Sequence, residues 1–264
     1  MTNVFDCKDL WQLADWLEDI SGKDVDHKAL YQQLRQYYMA VCMESVYQGH
    51  PKWSVVDRDR VCPLYLYRNW AYARSANENA NQLHRIATEI RESYCSVEAS
   101  CLSLREAEAI MCHLDEKYAF SKKVIYGHLL IFLLPTQHRK EDSFCRTYQS
   151  KDGTTGADIY MLLPHKDCNA TSQSIFLHEL GHCLNLSLTG NPKVPPEDFA
   201  HAVRYLFPTL SEMRCEEVAE IFAHCFAMSI LAESSFRQYD PFQTIPMKAK
   251  GLLRSYFEAK LQQL

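Results

Sequence analysis

None of the eleven cysteines stands in a Cys-x-x-Cys pair, and their number is odd. Scattered in this way, they frame neither a paired disulfide scaffold nor a cysteine-built zinc site. They read as reduced thiols, many of them buried. Long apolar runs are missing too: the longest apolar stretches, such as Leu129-Leu130-Ile131-Phe132-Leu133-Leu134, are too short to span a bilayer. The opening segment from Met1 to Asp19 is interrupted by charges and lacks the continuous apolar stretch of a signal peptide. Basic excess is absent, with 28 Lys and Arg against 33 Asp and Glu and a net charge of −5. Such a balance offers no general phosphate-binding surface. No internal repeat and no low-complexity segment occurs. These absences together predict a soluble cytoplasmic protein with neither nucleic acid nor membrane among its partners, a signal-less secretion route staying open.

What is present is apolar material. Of 264 residues, 47% are hydrophobic and 12% aromatic, enough for a sizeable core. Residues 1–120 read as helical: Leu10, Leu13, Ala14 and Leu17 recur at helical spacing, as do Leu30, Leu34, Tyr37 and Tyr38, and Leu83, Ile86 and Ile90. Ser103 followed by Glu106 is the signature of a capping box and predicts a helix to about Tyr118. The aromatic run Tyr65, Tyr67, Trp70 and Tyr72 reads as a helix face or partner surface, and the charges from His138 to Asp142 as a solvated loop.

After Phe120 the pattern changes. Val124 to Leu134 reads as a buried strand. Phe144 to Gln149 and Ala157 to Leu163 flank the turn-rich Ser150 to Gly156 and predict a hairpin. Helices follow: one stopped by Gly190 and Pro192, a short one near Glu197 to Phe207, a long one over about Leu210 to Ala232, and a last one from Met247 to Gln263. Helices, then strands, then helices make the fold class α+β. The division is 1–120, a helical region whose role the sequence leaves open between recognising a substrate or partner and covering a cleft, and 121–264.

The chemistry is concentrated in His178-Glu179-Leu180-Gly181-His182, inside an apolar helical run from Ser174 to Leu184. Residues four apart share a helix face, so two imidazoles close on one metal ion while the glutamate beside the first acts as base. A zinc with an open position needs a third protein ligand. The segment Cys215-Glu216-Glu217-Val218-Ala219-Glu220-Ile221-Phe222-Ala223-His224 supplies it. Among its three glutamates, Glu216 is expected to ligate and Glu220 to hold a ligand imidazole by its other nitrogen. Glu217, about 100° round the helix, points away. Small Ala219 and Ala223 allow this helix to approach the first one closely, while Gly181, costing about 1 kcal/mol against alanine in a helix, reads either as close approach of a neighbouring element or as a tolerated glycine.

This pattern, H-E-x-x-H followed by a helix with E-x-x-x-(D/E), resembles the gluzincin zinc peptidases. Ala157 to Leu163, Ser174 to His182 and Glu216 to Ala223 are similar to the active-site strand, helix opening and third-ligand helix of the ImmA/IrrE-type branch. The resemblance covers about 124–232, departs from the family in having Glu220 where Asp or Asn is common, and has a long link from His182 to the ligand helix. It implies a zincin-like core over 121–264 and a zinc-dependent metallopeptidase acting on a protein or peptide substrate. Glu179 is then general base and later acid. Tyr205 is the first choice for the donor to the oxyanion, ahead of His201, Tyr160 and His224. The strand carrying Ile159, Tyr160 and Met161 is expected to pair with an extended substrate. Cys183, Cys215 and Cys225, beside the ligands, are either packing residues or a redox control.

Three other readings stand beside it. A peptidase-like fold that binds a partner without hydrolysis needs no Glu179. A di-iron site uses Glu179-x-x-His182 but lacks a second copy of the motif. A structural zinc takes four protein ligands.

Overall fold

The computed structural model describes residues 3–7, 10–24, 26–56, 79–96, 102–133, 143–149, 155–162, 171–206, 214–231 and 247–264. The expected loop at His138 to Asp142, the aromatic run at Tyr65 to Tyr72 and most of the hairpin turn lie outside them.

Four strands form one mixed sheet: β1 (Trp53–Val56), β2 (Leu129–Leu133), β3 (Phe144–Gln149) and β4 (Thr155–Met161), in the order β1-β2-β4-β3. β2 runs parallel to β1 and to β4. β3 and β4 form the expected antiparallel hairpin, with Arg146 opposite Asp158 and Cys145 opposite Ile159. β1 corrects the reading of 1–120 as helical: this four-residue strand lies between two helices and has no long alternating run to announce it. The strand expected from Val124 begins at Leu129, because Phe120–Val124 closes a short helix first.

Side chains alternate across the pleat and so divide the core in two. Leu129, Ile131, Leu133, Ile159 and Met161 point into one cluster, and Phe132, Tyr160 and Leu162 into the other. The second cluster is closed by α1 (Leu10–Ser21), α2 (His27–Gln48) and α3 (Asn79–Ser96), through Leu13, Leu17, Leu30, Leu83, Ile86 and Ile90. Leu34 and Tyr38, expected on the same face, have side chains outside the described set.

The first cluster is closed by α4 (Leu104–Tyr118), α5 (Phe120–Val124), α6 (Ser172–Thr189), α7 (Glu197–Leu206), α8 (Cys215–Ile230) and α9 (Met247–Gln263). α4 starts at the predicted capping box. The Ser103 side chain accepts from Glu106 N–H at 3.2 Å, and the Glu106 carboxylate accepts from Ser103 N–H at 2.9 Å. α6 is opened by Thr171, whose hydroxyl accepts from Ser174 N–H. It is closed by Gly190 at φ 70°, a left-handed position that glycine takes without a Cβ penalty. The architecture is mixed α and β, mostly helical, and among the described residues no helix is long and apolar enough to cross a membrane.

Candidate metal centre

α6 and α8 meet where the first has no side chain, at Gly181, and the second only a methyl, at Ala223. A Cβ built on Gly181 lies 2.8 Å from the Ala223 Cα and 3.1 Å from its carbonyl oxygen. No larger residue fits at 181, so the glycine and the alanine set the depth of the crossing. His178 and His182, one turn apart on α6, lie on either side of it. On α8, Glu220 precedes Ala223 by three residues and His224 follows it, and a rise of about 1.5 Å per residue keeps both within one turn of the crossing.

The geometry follows from that placement. His178 Nε2 and His182 Nε2 are 3.1 Å apart. Glu220 Oε2 lies 3.2 Å from the first and 3.5 Å from the second. Three donor atoms thus form a nearly equilateral triangle. Zinc–nitrogen bonds of about 2.0–2.1 Å at tetrahedral angles put neighbouring ligand atoms about 3.3–3.4 Å apart, so the triangle has the size such an ion requires. His178 is buried, His182 is partly exposed, and Glu220 is 58% exposed on its side chain, which opens the triangle to solvent on one side.

Electrostatics favour the ligating forms. Burial holds the His178 imidazole below its ordinary pKa, with Glu220 pulling the other way. The two imidazoles, His178 first, hold the Glu220 carboxyl well below the carboxylate range. Burial also lowers His224, to about 3, and keeps it uncharged at neutral pH. Metal ligation needs neutral imidazole and ionised carboxylate.

The expected third ligand is corrected. Glu216 is seven residues before Ala223, about 10 Å further along the axis. It points to solvent, where it accepts from Lys193 Nζ at 3.1 Å. Glu217 serves the helix end instead, its carboxylate accepting from Arg214 N–H at 2.8 Å. Glu220 takes the place given to Glu216. It does not hold an imidazole by its far nitrogen, since it meets Nε2 of both rings. His178 Nδ1 is buried and has no hydrogen-bond partner among the described residues.

Glu179 is 4% exposed on α6. Its charge is one of the smaller influences on the Cys145 thiol. Cys145 Sγ lies 3.7 Å from Cys183 Sγ, and that contact first, then burial, pushes the Cys145 thiol up. Cys183 and Cys225 are buried packing residues, whereas Cys215 is exposed.

The substrate strand is also corrected. β4 is paired on both sides, by β2 and β3, and Ile159, Tyr160 and Met161 are 0%, 4% and 1% exposed. The outer strand beside α6 is β3. Tyr160 leaves the set of oxyanion donors, because it stacks between Phe132 (4.6 Å) and Phe144 (4.8 Å) on the far face of the sheet. His201 is exposed on α7. The backbone of Tyr205 is helical, and its side chain lies outside the described residues. His224 comes to the centre, its ring centroid 4.3 Å from that of His178. Its spacing from Glu220, four residues, was the signal available in the sequence.

Comparison of the chain with family models, with curated proteins and with solved structures finds no match.

Proposed function

We propose that the chain is a zinc-dependent metallopeptidase of the gluzincin kind, with His178, His182 and Glu220 as ligands and Glu179 as base, on a zincin-like core. The observation that carries this reading is the triangle of two Nε2 atoms and one carboxylate oxygen, with edges of 3.1, 3.2 and 3.5 Å. It is formed around the one helix that also carries a buried glutamate next to the first histidine. A zinc ion in that place supplies Lewis acidity, lowering the pKa of nearby water and polarising the scissile carbonyl.

The chain's own groups do the rest. The Glu179 carboxylate takes the proton of the attacking water and returns it to the leaving nitrogen. Its burial keeps bulk water away from that exchange. An extended peptide lies along β3, whose outer edge has no partner strand among the described residues. There it gains backbone hydrogen bonds and brings a carbonyl past the site. The substrate is therefore a protein or peptide in extended form.

Glu179→Gln tests this directly. Comparing the termini of cellular proteins after expression of wild type and of the variant should give new termini for wild type alone, with bound zinc equal in both. Hydrolysis by a zinc-loaded Glu179→Gln protein refutes the role given to Glu179.

A further inference from the structure

A metal-ligating imidazole is ordinarily oriented by a hydrogen bond from its second nitrogen to an acceptor. His178 does not have one among the described residues: its Nδ1 is buried and unpartnered. Something else must fix the rotation of that ring, because a turn about its bond to the backbone carries Nε2 away from His182 and Glu220. Two rings touch it. The His182 ring meets it edge-on, with centroids 4.7 Å apart and planes at 86°. His182 is itself a member of the triangle and equally in need of support. The other is His224, with centroids 4.3 Å apart and planes at 52°. His224 stands on α8, four residues after Glu220, and its backbone is held at the tight crossing by Ala223 against Gly181. Its ring is thereby carried by a helix whose distance from α6 is set by backbone contact.

We propose that His224 is a positioning residue, whose ring packs on His178 and holds Nε2 towards His182 and Glu220 in place of the missing hydrogen bond. This rests on the metal reading above. It explains why one turn of α8 carries both a ligand and an aromatic group, and it assigns the ring, rather than either of its nitrogens, as the part that matters.

The test compares three variants of the full chain, His224→Phe, His224→Leu and His224→Ala, by titration with Co2+ in the metal-depleted protein. Both the affinity and the visible absorption bands are read, and circular dichroism confirms folding. Phenylalanine keeps the ring and should bind within about twofold of wild type with the same bands. Leucine keeps volume but loses the ring, and alanine loses both; each should weaken binding by about tenfold or more, the range found when support of a ligand is removed, and shift the bands. If alanine does not fold, the leucine and phenylalanine pair decides. Equal binding by the two overturns the proposal, as does a loss in phenylalanine as large as in leucine, which would assign the role to a nitrogen. Failure of wild type itself to bind Co2+ overturns the metal reading and this proposal together, so the two failures are told apart.

Discussion

The two faces of the sheet are built to different standards. On the face covered by α1 to α3, contacts are apolar and aromatic: Phe132, Tyr160 and Phe144 stack in sequence, and Leu13, Leu17, Leu83 and Ile90 close over them. On the other face the central helix α6 carries His178 and Glu179 into the interior. Both buried side-chain polar atoms without a hydrogen-bond partner among the described residues, His178 Nδ1 and Asn185 Oδ1, belong to that helix. Burying such atoms is costly. A sequence that solves one face with plain packing and tolerates orphaned polar atoms on the other shows where stability has yielded to another demand.

That contrast can be broken by substitution. Phe132→Ala, on the apolar face and fully buried, should have the largest effect on stability, about 3–5 kcal/mol in chemical denaturation. The protein that remains folded should bind metal as wild type does; a parallel loss of metal affinity would mean that the faces are not separable. Gly181→Ala on the opposite face should cost less, about 1–3 kcal/mol, since the added methyl meets the Ala223 backbone and outweighs the gain of about 1 kcal/mol in helix propensity. Here metal affinity should fall with stability, because α6 and α8 are pushed apart. A Gly181→Ala protein that is more stable and binds metal normally would remove the crossing from the account.

A smaller effect separates the faces by pH. His224 titrates near 3 when folded against 6.5 for the free group. Between those values the unfolded chain holds a proton that the folded chain lacks, so stability falls as pH drops through the window. His178, also lowered by burial, adds in the same direction. Thermal melting of the metal-free protein from pH 7 to 5 should show the decline, and His224→Phe should flatten it. An unchanged slope in that variant would contradict the buried, uncharged state of His224.

Much of this was legible in the sequence. The capping box at Ser103, the hairpin, the stop at Gly190 and the span of α9 are local signals, each set by residues a few positions apart. His178 and His182 followed from helical spacing alone. The choice between Glu216 and Glu220 did not, because both lie on one helix face and only the depth of the crossing at Gly181 and Ala223 selects between them. Lys193, which captures Glu216, is 23 residues away in sequence. β1 and the central position of β4 depend on strand order, which periodicity does not encode. The spacing read from the sequence pointed to Glu216, whereas the group that the fold brings together is His178, His182 and Glu220.

The most direct measurement is the zinc content of purified Glu220→Ala and Glu216→Ala proteins beside wild type. The account predicts that wild type and Glu216→Ala retain the ion and that Glu220→Ala loses it. Zinc kept by Glu220→Ala and lost from Glu216→Ala would contradict the ligand set on which the proposed mechanism stands.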